Sequence, residues 1–391
     1  MTELLLKWFI KDYRDTARPS VREKYGRLAG TVGIISNVFL FIIKIIAGTL
    51  FRSISITADA VNNISDAGSS VITMIGFKIS GKPADKEHPY GHERAEYITG
   101  FIISVIILLL GLELVKSSFI KILNPEPIIF SYLTAVILFI AILVKFWQGT
   151  FNRTLGKRIN STALIATSQD SMNDAMSTSA VLIAAVFSWI TGINIDGYMG
   201  IAVALFIIYS GLKLISETLN PLIGLAPDPE LVEELEKKIL AYEGVLGIHD
   251  LQVHSYGPEK KYAAVHVEVS AKEDILESHD LIDTIEKDVL QDLNIHLVIH
   301  MDPIVTDDEL TNSLRSQVTE IVRNIDPSLS MHDFRLVVGK THSNLIFDVV
   351  IPAEYHGREE EIRDEIQNEI FKINPNYFCV ITFDRNYISN Y

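Results

Sequence analysis

Six long apolar stretches constrain the fold of this 391-residue chain more than any other feature. A helix needs about 20 residues to cross the roughly 30 Å hydrocarbon core of a bilayer, and each stretch is long enough. The sequence therefore predicts a membrane α-helical bundle of six transmembrane helices. The predicted spans cover residues 29–51, 54–79, 94–116, 128–148, 160–189 and 197–218.

Charge is divided unevenly along the chain. Up to Gly224 there are 20 Lys and Arg against 16 Asp and Glu, whereas the remainder has 14 against 33, for a net charge of −15. The acidic remainder is typical of a water-soluble domain and argues against nucleic-acid binding. We expect a cytoplasmic N-terminal segment over 1–28 and a transmembrane domain over 29–224. The single cysteine, Cys379, excludes an intrachain disulfide.

Lys and Arg residues near the ends of the spans predict the orientation of the bundle. The first 28 residues carry seven of them, and the segments Lys78–Arg94 and Lys145–Arg158 carry four each. The opposite side has only Arg52, Lys116 and Lys121. We therefore expect a multi-pass protein of the cell membrane with both termini in the cytoplasm.

The second and fifth spans contain polar pairs where lipid-facing sequence is expected. Asn62 and Asp66 stand four residues apart, as do Asp170 and Asp174, so each pair shares one face of its helix. A charge at the centre of a bilayer costs at least about 2.5 kcal/mol, which marks such residues as functional. Pairing with Lys or Arg of other spans is the alternative, and apart from Lys44 we expect no span interior to supply one. The pattern favours a divalent-cation site.

The type of ligand indicates which metal such a site binds. Carboxylate and amide oxygens suit magnesium, calcium and manganese, whereas imidazole favours zinc, copper and nickel. All eleven histidines lie outside the predicted spans. Four ligands form a sparse cage for calcium, so the sequence favours manganese. Zinc, iron and cobalt remain alternatives.

Asp85, His88 and His92 lie between the second and third spans, at a spacing that suits a transition-metal site. A loop turn held by Pro89 and Gly91, with solvated histidines, is the alternative explanation. This loop is therefore a second candidate metal site.

The water-soluble part begins with alternating apolar positions typical of short strands. The sequence predicts an α+β domain with ferredoxin-like topology over residues 225–304. Its predicted elements are a helix over 228–242, strands over 246–255 and 261–270, a helix over 276–290 and a strand over 295–302.

An internal repeat accounts for the rest of the chain. HDLQVHSYG, AAVHVEV and LVIHMDP recur as HDFRLVVGK, LIFDVVI and CVITFDR at offsets of 83, 82 and 82 residues. We therefore predict a second, degenerate ferredoxin-like repeat over 305–391, so that the domain is duplicated in tandem. This copy keeps His332, but Asp348 and Thr382 replace histidines of the first copy. We expect it to serve dimerisation or interdomain packing, although Asp348 and Asp384 are able to accept a hard cation.

Together, the six spans, the DxxxD of the fifth span, the polar pair of the second and the motif HPYGHERAEY resemble the cation diffusion facilitator family. The resemblance covers about residues 30–303. It implies a homodimer whose two polar pairs form the transport site and export metal in exchange for protons. Zinc members usually have HxxxD on the fifth helix. Asp170 at that position, and Asn62 in place of an aspartate, are similar to the manganese-exporting branch.

The resemblance also implies further metal sites. The loop positions carry a second site in family members, and the cytoplasmic domain binds metal at a dimer interface. The expected roles of the metal are therefore substrate and regulator, with no organic cofactor. A membrane-bound metal sensor without transport is an alternative, whereas a metalloprotease would need a motif such as HExxH, which the sequence lacks. The matching positions in the cytoplasmic domain are His249, His266, His279, His300 and Asp302.

Overall fold

A computed structural model describes residues 2–16, 18–50, 54–124, 132–352, 355 and 357–385. The chain divides into two compact units. The first contains residues 1–225 together with 256–260, and the second contains residues 226–255 together with 261–391.

The first unit is helical. Five of its described helices are long and apolar enough to cross a membrane, and the helix that carries Asp66 is not among these five. The helices are α1 (Thr2–Phe9), α2 (Pro19–Leu50), α3 (Ile54–Ser80), α4 (Arg94–Leu123), α5 (Tyr132–Arg158), α6 (Thr162–Thr191) and α7 (Asp196–Ile223). The five are α2 and α4 to α7.

The fourth predicted span is longer than expected. The sequence predicted its end at residue 148, but α5 continues to Arg158 and only three residues separate it from α6. Lys145, three residues before the predicted end, lies well within α5, so its count among the loop charges was wrong. The apolar and small residues after Lys145, in the segment FWQGTF, allow the helix to continue.

Small residues allow close packing between helices of the first unit. A Cβ atom at Gly26 of α2 would lie 2.0 Å from the Phe77 ring of α3. A Cβ atom at Gly211 of α7 would lie 3.2 Å from the backbone nitrogen of Leu108 on α4. Such close packing stabilises helix association in lipid, where the hydrophobic driving force between helices is lacking.

Ion pairs tie the helices together near both ends of the bundle. Near the start of α2, the buried Arg22 guanidinium lies 3.2 Å from the Glu96 carboxylate of α4 and donates to the Ile159 carbonyl after α5. At the opposite end, Lys121 of α4 lies 2.7 Å from Asp196 of α7. The Arg22 contacts thereby fasten three helical segments at one end.

The second unit consists of two α+β layers with the same order of elements. The first layer comprises α8 (Pro229–Leu240), β1 (Gly247–Ser255), β2 (Lys261–Ser270), α9 (Ile275–Leu293) and β3 (Ile295–Ile304). The second comprises α10 (Glu309–Ile325), β4 (Ser330–Val338), β5 (Ser343–Ile351), α11 (Glu359–Ile373) and β6 (Tyr377–Arg385).

Each layer has one three-stranded sheet, with strand orders β1-β2-β3 and β4-β5-β6. The first strand pairs antiparallel with the second, which pairs parallel with the third. Within the described residues each sheet has the three strands that the sequence predicted, one fewer than a complete ferredoxin-like sheet. The shared strand order requires a helix between the second and third strands, because parallel neighbours need a crossover connection.

The two faces of each sheet differ in polarity. Val265 and Val267 of β2 pack with Ile285 of α9, and Phe347 of β5 packs with Ile366 of α11. Because side chains alternate along a strand, the intervening residues point to the opposite face, away from the helices. We call this the helix-free face of each sheet. It carries the histidines and aspartates discussed below.

Candidate metal sites

Three carboxylates converge within the helical unit. Asp66 of α3 and Asp170 and Asp174 of α6 each place one oxygen within 4.8 Å of the others. Asp170 is buried and the other two are partly buried. The structure thus brings together three of the four side chains predicted for a transport site. Asn62 lies on α3, but its side chain falls outside the part of the chain that is described.

A lysine is also present among these carboxylates. Lys145 Nζ lies 2.6 Å from Asp66 Oδ2 and 2.6 Å from Asp174 Oδ2, and its side chain is 4% exposed. The expectation that no span interior other than that of Lys44 supplies a basic partner was therefore wrong. It failed because Lys145, although inside the predicted span 128–148, was counted among the charges of the following loop. The sequence did contain a signal for this: the residues that follow Lys145 are compatible with a continuing helix.

A cavity of about 310 Å³ adjoins the carboxylates. On α4 its lining runs from Ile106 to Ser117, and on α6 it runs from Asp170 to Ser177. Both helices run towards the same end of the unit, so the cavity extends towards Leu123 and Thr191. The lining residues are Asp66, Ser69, Ile106, Ile107, Leu110, Glu113, Leu114, Ser117, Asp170, Asn173, Asp174, Ser177 and Ile207.

On the other side of the carboxylates the helices are packed. Thr73 of α3 and Thr167 of α6 are hydrogen-bonded at 3.0 Å between their hydroxyl oxygens, and both are buried. Each lies one to two turns beyond the nearest aspartate of its helix, towards the end held by Arg22. These contacts separate the carboxylates from that end of the unit.

The loop between α3 and α4 brings its three predicted ligands together. His88 Nδ1 and His92 Nε2 each lie 3.4 Å from a different oxygen of Asp85. Hydrogen bonds from the backbone N–H groups of His88 and Glu87 hold the pKa of Asp85 below its ordinary value, together with the two imidazoles. Asp85 and His88 are more than half exposed, so the geometry suits an exchangeable metal ion at the surface.

On the first sheet, strand register aligns three of the predicted histidines. His249, His266 and His300 occupy paired positions on β1, β2 and β3. Each has a ring nitrogen 2.9–3.2 Å from a carboxylate oxygen of Asp302. We call these four residues the first-sheet group. His279 is exposed on α9 and belongs to none of the potential ligand groups among the described residues.

The second sheet carries a related group at the same register positions. His332 pairs with Asp348, and ligand atoms of both lie within 4.8 Å of one from Asp384. Burial raises the pKa of Asp384, and so does repulsion by the carboxylates of Asp250 and Asp348. We call His332, Asp348 and Asp384 the second-sheet group. The involvement of Asp250 could not be inferred from its spacing, because it depends on a bulge in β1.

A helical membrane-type unit with clustered carboxylates, followed by sheet-containing layers, is the architecture of a membrane metal-ion transporter. The family description "Cation efflux transmembrane domain" matches residues 30–223, and "Cation efflux protein, cytoplasmic domain" matches residues 227–304.

Three relatives extend this comparison. The manganese efflux system protein MneS of Bacillus subtilis is 31% identical over 285 residues, which are 72% of this chain and 97% of MneS. The cation-efflux pump FieF of Klebsiella pneumoniae is 27% identical over 287 residues, or 72% and 95% of the two chains. An uncharacterized transporter of Methanocaldococcus jannaschii is 32% identical over 250 residues, or 64% and 88%. The chain belongs to the cation diffusion facilitator family, and is thus a cation efflux transporter rather than an enzyme.

Proposed function

We propose that this protein is a secondary active transporter that exports Mn²⁺ from the cytoplasm in exchange for protons. The observation that carries this proposal is the convergence of Asp66, Asp170 and Asp174 beside a cavity within the helical unit. Asn62, four residues before Asp66, is the fourth proposed ligand. Carboxylates grouped in a low dielectric can exchange a metal ion for protons, because both neutralise the same oxygens.

The chemistry of the ligands supports manganese over zinc. The described lining of the cavity contains carboxylates, hydroxyls and amides and includes no imidazole. Oxygen ligands suit manganese, whereas zinc gains affinity from nitrogen and sulfur donors. The name of the relative MneS supports the same ion, while that of FieF is compatible with export of other cations. Export of zinc, iron or cobalt is the alternative, and a sensor without transport would not need the cavity.

We further propose that Lys145 is a resident cation that metal displaces. Its ammonium group donates a hydrogen bond to each of Asp66 and Asp174 and compensates one of their two negative charges. A divalent ion that binds the same oxygens has to move Lys145 aside, since two cations in one carboxylate cluster repel each other. When the ion leaves, Lys145 returns and prevents the carboxylates from being left unpaired.

The direction of the cavity supports an outward-facing arrangement. With both termini in the cytoplasm, as the loop charges indicate, the ends of α4 and α6 at Leu123 and Thr191 face outwards. The packed contact between Thr73 and Thr167 then closes the inner path. Export requires an alternative arrangement in which this contact opens and the outer cavity closes.

The organisation of the chain completes the proposal. We propose six transmembrane helices within 29–224, with α3 as the polar member, and a tandem pair of cytoplasmic domains over 225–304 and 305–391. The equal strand orders and register of the two sheets support the duplication. We also propose that the transporter is a homodimer.

Transport by purified protein in liposomes tests the proposal. We expect a gradient of Mn²⁺ to drive proton movement, monitored with an internal pH dye. Asp66→Ala, Asp170→Ala and Asp174→Ala should each abolish it, whereas Glu217→Ala, on an exposed position of α7, should not. Retained flux in any two of the three would remove this site from the mechanism.

Selectivity is tested in the same assay by comparing Mn²⁺ with Zn²⁺. The native chain should prefer Mn²⁺, and Asp170→His should shift the preference towards Zn²⁺ by adding an imidazole ligand. A native preference for Zn²⁺ would contradict the assignment of manganese while leaving metal transport intact.

A further inference from the structure

The two sheets of the second unit contact each other through a pair of histidines. His249 on β1 and His332 on β4 occupy the same position in their respective sheets, opposite His266 and Asp348. Their rings stack with centroids 4.3 Å apart. Both side chains are largely covered, with 8% and 10% of their surface exposed. The pair therefore lies between two sheets of one chain.

A bulge in β1 directs a carboxylate towards both rings. The register between β1 and β2 shifts after His249, and Asp250 adopts a left-handed backbone with a φ of 52°. Bulges of this kind redirect a side chain. Asp250 Oδ2 lies 3.5 Å from His249 Nδ1, and its Oδ1 lies 3.6 Å from His332 Nε2. One carboxylate thus faces an imidazole from each sheet.

The second sheet has the same bulge with a different outcome. Asp333 follows His332 with a φ of 49°, but its carboxylate lies 2.7 Å from the Arg335 guanidinium. In the first sheet the residue corresponding to Arg335 is Gln252, which carries no charge. Asp250 therefore remains available to a cation, whereas Asp333 is already paired.

The ring nitrogens of both histidines lack hydrogen bonds. His249 Nδ1 and Nε2, and His332 Nδ1 and Nε2, are buried and make no hydrogen bond with the described residues. Buried polar atoms are satisfied in most cases, so four such atoms side by side require an explanation. A bound cation supplies one, because imidazole nitrogens are common metal ligands.

The separations are those of ligands around one ion. N–H···O hydrogen bonds usually measure about 2.7–3.2 Å. Ligand atoms at about 2.0–2.1 Å from a tetrahedral zinc ion lie about 3.3–3.4 Å from one another. Asp250 lies 3.5 Å from His249 and 3.6 Å from His332. These distances are closer to the separation of two zinc ligands than to the length of a hydrogen bond.

We propose that His249, Asp250 and His332 bind a divalent transition-metal ion between the two sheets. We call these residues the inter-sheet group. Two imidazoles and one carboxylate leave one coordination position open, which water can fill, as at zinc sites with three protein ligands. The nitrogen donors favour zinc over manganese, in contrast to the oxygen ligands among the transmembrane helices. The ion joins the two layers within one chain.

The inter-sheet group shares one residue with the first-sheet group. His249 Nε2 faces Asp302 at 3.2 Å, whereas Nδ1 faces Asp250. A neutral imidazole carries one N–H and one lone pair, so it can serve one ion at a time. His332 in turn belongs to the second-sheet group, with Nε2 3.5 Å from Asp384. Asp250→Asn is therefore the substitution that isolates the inter-sheet group, and His332→Asn tests the second imidazole.

Zinc binding to the full-length chain in detergent tests this site. Equilibrium dialysis with Zn²⁺ would count ions per chain for the native protein, Asp250→Asn, His332→Asn and the matched control Asp333→Asn. Asparagine tolerates the left-handed backbone, so both bulges should be preserved, and circular dichroism would check folding. The variants keep the transport-site aspartates, so their differences report on the second unit and do not depend on transport.

We expect Asp250→Asn and His332→Asn each to lose one Zn²⁺ per chain at concentrations that saturate the native protein, with at least tenfold weaker binding. Asp333→Asn should bind like the native chain. Native stoichiometry in either test variant would overturn the proposal. Loss in Asp250→Asn alone would also overturn it, because the ion would then belong to the first sheet only. Equal loss in Asp333→Asn would identify a structural effect of the bulge and exclude the inter-sheet site.

Discussion

At the scale of single residues, Lys145 changes how the carboxylate cluster of the helical unit has to be understood. The ammonium group of Lys145 lies 2.6 Å from both Asp66 and Asp174 and compensates one of their two negative charges. At an effective dielectric constant of about 20, two unit charges about 4 Å apart interact by about 4 kcal/mol. Metal binding therefore competes with an interaction of substantial strength inside the protein.

Lys145→Met should increase the affinity for Mn²⁺ and slow its release. Methionine keeps much of the length and apolar character of the side chain but removes the competing charge. We expect the Mn²⁺ concentration for half-maximal flux at pH 8 to fall at least tenfold, with a lower maximal rate. Lys213→Met, at an exposed position of α7, is the control. An unchanged half-maximal concentration would mean that Lys145 does not compete with metal.

Individual residues also show which parts of the candidate sites could be predicted from the sequence and which could not. The two i, i+4 pairs identified the aspartates, because helical periodicity determines which side chains share a face. Lys145 was missed because it stands near the predicted end of its span and was counted among the loop charges. Asp250 was missed because a bulge, which has no reliable signature in a single sequence, directs its side chain.

At the scale of secondary-structure elements, close contact between α4 and α7 depends on glycine. A side chain at Gly211 would meet the backbone of Leu108 at 3.2 Å, whereas a Cβ atom at Gly68 of α3 would have no neighbour within 4 Å. Backbone atoms cannot move aside as a flexible side chain can, so added bulk at Gly211 has to separate the helices.

Gly211→Val should therefore destabilise the helical unit. Overpacking typically costs about 1–3 kcal/mol, which should appear as a lower midpoint of thermal unfolding of the purified protein in detergent. Gly68→Ala adds a methyl group in open space and should leave the midpoint unchanged or raise it slightly. Equal midpoints for Gly211→Val and the native chain would show that α4 and α7 are not held in close contact.

Local sequence patterns predicted the bounds of secondary-structure elements better than they predicted the contacts between those elements. Alternation located β2 over Lys261–Ser270, as predicted, and the offset motifs predicted the matching order of β4, β5 and β6. The approach of the two helix-free faces could not be predicted, since strand periodicity identifies a polar face without indicating what covers it.

At the scale of the whole molecule, the second α+β layer lies beyond the part matched by the family descriptions, which ends at residue 304. MneS is covered over 97% of its length by 72% of this chain. The 285 matched residues are fewer than the 304 that precede the second layer. This layer has its own apolar core, around Phe347 and Ile366.

Removal of residues 306–391 should consequently leave transport intact. We expect Mn²⁺ flux within about threefold of the native chain, because the proposed transport residues and the first layer remain. Zinc binding should fall by one ion, since His332 is lost. Flux in liposomes and light scattering of the purified protein would measure activity and oligomeric state. A folded, dimeric truncation without flux would show that the second layer is required for transport.

The position of Lys145 also has an electrical consequence. In the proposed transport cycle Lys145 stays with the protein when the metal leaves, so the return step carries one negative charge fewer than three bare carboxylates would. Moving one elementary charge through 100 mV changes the free energy by about 2.3 kcal/mol. An ammonium group built into the carrier therefore makes its return step less sensitive to the membrane potential.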